Sequence, residues 1–311
     1  MKLPWLAENI KQFASLVQAQ RIPHAILLSA SKGMGKEELA KEMAHLAMCE
    51  NITDNGVCYQ CGACNLLKAG NHTDLSVIKA ENAIIKVGQI RKLSSDVVLT
   101  ASKNQHKVII IEEAEKMNAS SANALLKTLE EPPQKVLIIL TTNEIGQLLP
   151  TIKSRCVKIN IKPASYEVAN QWLMTQVSAS ADDISIAQFL TSNSPLLARS
   201  VLCNNVIDDV KQMVNDMEEL KQQTVALLDV SKKWLANNWH LNLNFIAVIL
   251  LNQLALQYNL QSKNGIGFTA IAQGSDLHAF IKSIHKFNKR LVLSLKTELQ
   301  LEKLLIVWKE C

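Results

Sequence analysis

Residues 24–37, HAILLSASKGMGKE, constrain what this chain can fold into more than any other stretch. Residues 25–28 form an apolar run of strand length, and residues 36–48 carry apolar side chains at helical spacing. A short glycine-bearing loop joins the two. A strand, a tight loop and a helix in that order make a cradle for phosphate, because backbone N–H groups and a helix N-terminus both attract anions. The full signature, G-x-x-x-x-G-K-[ST], is met only in part. Gly35 and Lys36 match, and Gly33 lies inside the loop. Ala30 stands where the first glycine belongs, and Glu37 replaces the hydroxyl residue that would hold magnesium. A carboxylate there sets negative charge beside a triphosphate. The pattern therefore predicts a nucleotide-binding architecture whose nucleotide site is damaged.

A second motif points the same way. KVIIIEEAEKMN, residues 107–118, reads as a buried strand ending in acids, where phosphate-loop enzymes hold magnesium and orient water. Glu112 takes the metal position and Glu113 the water-activating position. The competing reading is an acidic strand end that is merely solvated. Further strands are expected at residues 75–78, 108–111, 136–140 and 157–161, with helices at 87–99 and 119–130 between them. Asn118 is the start signal of the last helix, Pro132 and Pro133 stop it, and Ala122, Leu125, Leu126 and Leu129 share one face. Strands alternating with helices predict an α/β layer around a mainly parallel sheet. Pro163 marks a domain boundary. No proline follows Pro195, glycine is sparse, and the C-terminal third is expected to be a helical bundle with its clearest loop at residues 261–268.

Cys49, Cys58, Cys61 and Cys64 follow the first helix as C-x8-C-x2-C-x2-C. Four thiolates so close can complete a tetrahedral shell around a structural zinc. His72 is an alternative fourth ligand, and a redox C-x-x-C is the alternative chemistry. Cys156, Cys203 and Cys311 are isolated, and are expected to be ordinary thiols. The N-terminus MKLPWLAENI lacks a long apolar segment and no apolar run approaches a membrane span, so a cytoplasmic protein without a disulfide framework is expected. A net charge of +5 leaves any attraction to nucleic acid to local clustering. Lys116, Lys127, Lys153 and Lys158 are candidates for such a face. Trp234, Trp239 and Trp308 are read as core or subunit contacts, not as a stacking surface for bases.

SASKGMGK, the four-cysteine insertion at residues 49–64, IIKVGQIR, NALLKTLEEPP, TTN at residues 141–143 and SRC at residues 154–156 together closely resemble the clamp-loader branch of the AAA+ ATPases. That resemblance implies an AAA+-like α/β domain over residues 1–162, a small helical lid over 163–206 and a helical collar over 207–311. It implies a hetero-pentameric ring with other clamp-loader subunits, of the gamma/tau and delta kinds, acting on a sliding clamp and primer-template DNA for DNA polymerase III. Arg155 matches the arginine that reaches into a neighbour's ATP site in this family. Asn143 aligns with the sensor 1 position, and Leu196 takes the place of the sensor 2 arginine. Departures at Ala30, Glu37 and Leu196 predict a stator-like subunit that does not hydrolyse ATP, with ATP binding itself unexpected. Two rival readings are an active AAA+ ATPase with an unconventional loop and a zinc-dependent nucleic-acid-binding module.

Overall fold

The computed structural model describes residues 3–53, 56–98, 106–236, 239–257, 275–290 and 297–310. Two compact units divide the chain, Met1–Ala164 and Ser165–Cys311. The loop expected at residues 261–268 and the last cysteine, Cys311, lie outside the described residues.

In the first unit, α1 (Ala7–Gln18) leads into β1 (Ala25–Ser29), and α2 (Lys36–Met48) follows the glycine loop. Next come α3 (Gly62–Lys68), β2 (Leu75–Ile78), α4 (Val87–Val98), β3 (Lys107–Ile111), α5 (Ala119–Glu130), β4 (Val136–Thr142), α6 (Pro150–Lys153) and β5 (Val157–Asn160). The strands form one sheet in the order β2-β3-β4-β1-β5, and every pair is parallel. Residues of β1, β3 and β4 are buried throughout. Strands with no polar alternation need cover on both faces, which crossover helices supply. The edge strand β5 is largely exposed instead.

Two local signals act as the sequence predicts. Asn118 Oδ1 accepts the backbone N–H of Ser121 at 2.8 Å and caps α5. Leu125 and Leu129 of that helix share a core cluster with Ile90 and Leu93 of α4, Leu148, Ile152 and Cys156. β4, by contrast, runs two residues past its expected end. Thr141 and Thr142 are fully buried strand residues, because their hydroxyls find partners: Thr141 Oγ1 accepts from the Glu113 backbone N–H (3.1 Å) and Thr142 Oγ1 from that of Glu144 (3.2 Å).

Every described element of the second unit is a helix: α7 (Tyr166–Gln176), α8 (Ala181–Leu190), α9 (Pro195–Cys203), α10 (Val206–Lys221), α11 (Leu227–Leu235), α12 (Trp239–Gln257), α13 (Ser275–Arg290) and α14 (Thr297–Glu310). Trp234, Trp239 and Trp308 are all buried, as expected of core residues. Trp308 packs on Phe280, donates to the Met217 carbonyl at 2.8 Å and lies under the Lys221 ammonium. Asp216, only 2% exposed, accepts from Lys233 Nζ (2.6 Å), Trp234 Nε1 (2.9 Å) and Gln212 Nε2 (3.2 Å). A carboxylate so deep is tolerable only when paired and hydrogen-bonded in this way.

Candidate functional site

The glycine loop keeps the shape of a phosphate cradle. Gly33 (φ 82°) and Gly35 (φ 85°) both lie in the left-handed region, where a side chain is strained, and Gly35 caps α2. Ala30 is buried and its N–H donates to the Thr142 carbonyl at 3.3 Å. From the other side the Trp5 indole donates to the Met34 carbonyl at 2.8 Å. The loop is thus pinned at both ends by protein.

Lys36 is engaged in the same manner. It is 1% exposed, and its ammonium sits 2.6 Å from Asn143 Oδ1 and 3.2 Å from Glu37 Oε1. An ammonium this deep is costly unless partnered. Here both partners come from the chain, and one of them is the carboxylate that replaces the expected hydroxyl. Asn143, at the end of β4, extends the network. Its side-chain amide donates to Glu115 Oε1 (2.8 Å) and Glu113 Oε1 (3.2 Å), and its backbone N–H donates to Glu115 Oε1 (3.0 Å). Burial would push the Glu113 carboxyl up, but Lys116 and the Asn143 amide outweigh it and hold the carboxyl below its usual value.

The two acids of the second motif do not converge. Glu112 pairs with Lys79 at 3.0 Å, whereas Glu113 turns through a left-handed backbone (φ 52°) to reach Lys116 and Asn143. Both strand-end acids are ion-paired, so mere solvation does not describe them. Glu115 belongs to the network although nothing in its sequence setting singled it out, and Thr141, noted only as part of the TTN stretch, joins through its hydroxyl. Their signals were present, a third acid two residues past Glu113 and a threonine at a buried strand end, but both residue types are common at such positions. Leu196 lies half-buried in the first turn of α9, in the second unit.

Arg155 occupies the turn between α6 and β5. Its backbone N–H donates to the Ile152 carbonyl (3.1 Å), and Cys156 behind it is buried, with its thiol pushed up to about 11 by that burial. The guanidinium stays partly exposed, at 34% of its side-chain surface. Nη1 donates to the Thr151 carbonyl at 2.9 Å and Nη2 meets Glu130 Oε1 at 2.6 Å.

The four cysteines do converge. Among the described residues they are the one group of three or more potential ligands brought together, with all ligand atoms within 4.8 Å of one another. Cys49 completes the group, and His72 does not: its Nδ1 accepts the Asp74 backbone N–H at 3.2 Å. Sγ–Sγ separations of 3.5 Å (Cys49–Cys58) and 3.9 Å (Cys58–Cys64) exclude a disulfide. They match the spacing of about 3.8 Å expected on a tetrahedron with zinc–sulfur bonds of about 2.3 Å. Backbone N–H groups of Cys58, Cys61 and Cys64 point at the preceding sulfurs of the set. N–H donors from Gln60 and Cys61 pull the Cys58 thiol down to about 6, while burial pushes Cys49 and Cys64 up. Only a cation among the sulfurs lets all four ionise together.

A parallel sheet in this order, a strand-loop-helix cradle at its C-terminal edge and an arginine on the turn before the last strand define a protein of the AAA+ phosphate-loop class. A family model described as DNA polymerase III, delta subunit, matches residues 5–165, and the chain belongs to that family. Its relatives include the DNA polymerase III subunit delta' of Pseudomonas aeruginosa, 36% identical over 68% of this chain and 65% of that protein. The subunit delta' of Buchnera aphidicola is 27% identical over 99% of this chain and 97% of its own length. The chain thus spans about two thirds of the Pseudomonas relative but nearly all of the Buchnera one. Among solved structures, a DNA polymerase III gamma subunit-related protein of Thermotoga maritima shares the fold, with a TM-score of 0.56, 15% identity, and coverage of 97% of this chain and 98% of that one. No described helix is long and apolar enough to cross a membrane.

Proposed function

We propose that this chain is a delta-prime-type clamp-loader subunit that does not turn over ATP and instead supplies Arg155 to the ATP site of a neighbouring subunit. One observation carries the reading. Lys36, the residue that would grip a triphosphate, is buried against Asn143 and Glu37, while Arg155 stands partly exposed on a turn. A triphosphate would have to displace both partners of Lys36 and then face the Glu37 carboxylate. Ala30, which carries a side chain where the phosphate-binding signature has its first glycine, departs further from a working site. A guanidinium placed against developing charge in a dry site is worth on the order of 1,000-fold in rate or more, and it needs no nucleotide bound to its own subunit.

In this reading residues 163–206 are the lid and residues 207–311 the collar through which the subunit joins gamma/tau and delta partners in a five-membered ring in the cytoplasm. The ring loads the sliding clamp onto primer-template DNA. Cys49, Cys58, Cys61 and Cys64 hold a structural zinc, whose charge lets four thiolates coexist and ties the end of α2 to the start of α3. The test is reconstitution with the partner subunits. Arg155→Ala should leave assembly intact and lower DNA-stimulated ATP hydrolysis by orders of magnitude at the one site it serves. Unchanged hydrolysis and clamp loading would refute the assignment.

A further inference from the structure

We infer that Glu130 is a positioning residue that holds the Arg155 guanidinium in the orientation it presents to the neighbouring ATP site; this rests on the proposed role of Arg155. Two anchors meet on that guanidinium, the Thr151 carbonyl at Nη1 (2.9 Å) and Glu130 Oε1 at Nη2 (2.6 Å). Both ride on one packed body. Glu130 is the last residue of α5, which Pro132 and Pro133 prevent from continuing, and Thr151 lies within α6. Leu125 and Leu129 of α5, Ile152 of α6 and Cys156 share a single buried cluster beneath them. Core packing therefore fixes where the backbones of the two anchoring residues stand relative to one another.

An arginine has five N–H donors in a rigid planar fork on a long stem with many rotamers. These two contacts use one hydrogen from each terminal nitrogen, and Nη1 also lies 3.5 Å from Ser154 Oγ. The second Nη2 hydrogen and the Nε hydrogen remain for phosphoryl oxygens, so holding the fork need not block its task. Orienting it beforehand removes the ordering that would otherwise accompany each engagement. Glu130 and Arg155 are half and one-third exposed, so the pair contributes little to folding. Its significance lies in which way the fork faces. Acting through Arg155, Glu130 affects the transition state and leaves the ground-state binding of ATP to the neighbour untouched.

The test is steady-state ATP hydrolysis by the reconstituted complex, with clamp and primer-template DNA, for Glu130→Ala, Glu130→Gln, Arg155→Ala and the double variant Glu130→Ala/Arg155→Ala. Assembly of each complex is checked by size-exclusion chromatography. Glu130→Ala should lower kcat at the served site by on the order of fivefold, the upper end of what an exposed pair is worth, with KM unchanged. Glu130→Gln keeps an acceptor oxygen and should retain most of the rate. The double variant should match Arg155→Ala alone, because a residue that acts only through another has nothing left to act on. A slow Arg155→Ala beside a normal Glu130→Ala overturns the positioning role and leaves the arginine assignment standing. Additive losses in the double variant, or faster hydrolysis by Glu130→Ala, also overturn it. A normal Arg155→Ala overturns both readings together.

Discussion

Replacing Lys36 distinguishes a lysine kept for nucleotide from one kept for the fold. Lys36→Ala removes a buried ammonium bonded at 2.6 Å to Asn143 Oδ1 and at 3.2 Å to Glu37 Oε1. Loss of a charge-assisted hydrogen bond that leaves the Asn143 oxygen unpaired costs about 2 kcal/mol. Removing three buried methylenes of the stem costs about 2 kcal/mol more. Glu37 is a quarter exposed at its side chain and turns to water, so its share is small. The sum, about 4 kcal/mol, corresponds to a drop of roughly 8–16 °C in the melting temperature of a unit this size. The assay is thermal unfolding of the purified full chain, without nucleotide, followed by circular dichroism. Lys36→Met, which keeps the stem, should fall about midway. A lysine that waits for phosphate faces solvent in the free protein, and its removal shifts stability by no more than about 0.5 kcal/mol. A melting temperature lowered by less than about 2 °C would therefore refute the structural role of Lys36.

Metal analysis of the purified chain should find about one zinc per molecule, and Cys61→Ser should lose it together with the stability of the segment between α2 and α3. Acid should destabilise the first unit through His45 and His106, whose pKa values burial lowers from an ordinary 6.5. For a group depressed in the folded state, the stabilising contribution is complete above the unfolded value and is lost as pH falls through the folded one. Melting temperatures should thus decline as pH drops below about 6.5, and His106→Gln should flatten part of that decline. A profile that is the same with and without His106 would remove it from the explanation.

Elements whose signal is local were legible in the chain itself. Helices at residues 36–48 and 119–130 end where the structure ends them, because a glycine at positive φ, a capping asparagine and a proline pair leave little choice. The strand at residues 75–78 was likewise plain. The C-terminal third read as helical from the absence of proline after Pro195, and Trp234, Trp239 and Trp308 read as core or subunit contacts. The cysteine spacing pointed to one tetrahedral group, and Cys49 rather than His72 completes it because the N-cap turn of α3 folds Cys61 and Cys64 back towards the end of α2. What lay beyond reach was pairing across the sheet. That Lys36 meets Asn143, 107 positions away, depends on β1 lying beside β4. The extension of β4 through Thr141 and Thr142 escaped notice because threonine and asparagine also suit turns. Glu115 and Glu130 were invisible as functional candidates for a related reason. Each is one acid among several in an acidic stretch, and only the packing of β3 against β4, and of α5 against α6, selects it.

A nucleotide cradle closed by its own chain is tested most directly by equilibrium titration of the isolated protein with labelled ATP and magnesium, read together with release of phosphate. No saturable binding in the micromolar range and no turnover are predicted, because Lys36 stays with Asn143 and Glu37. Micromolar binding accompanied by hydrolysis would contradict a closed cradle.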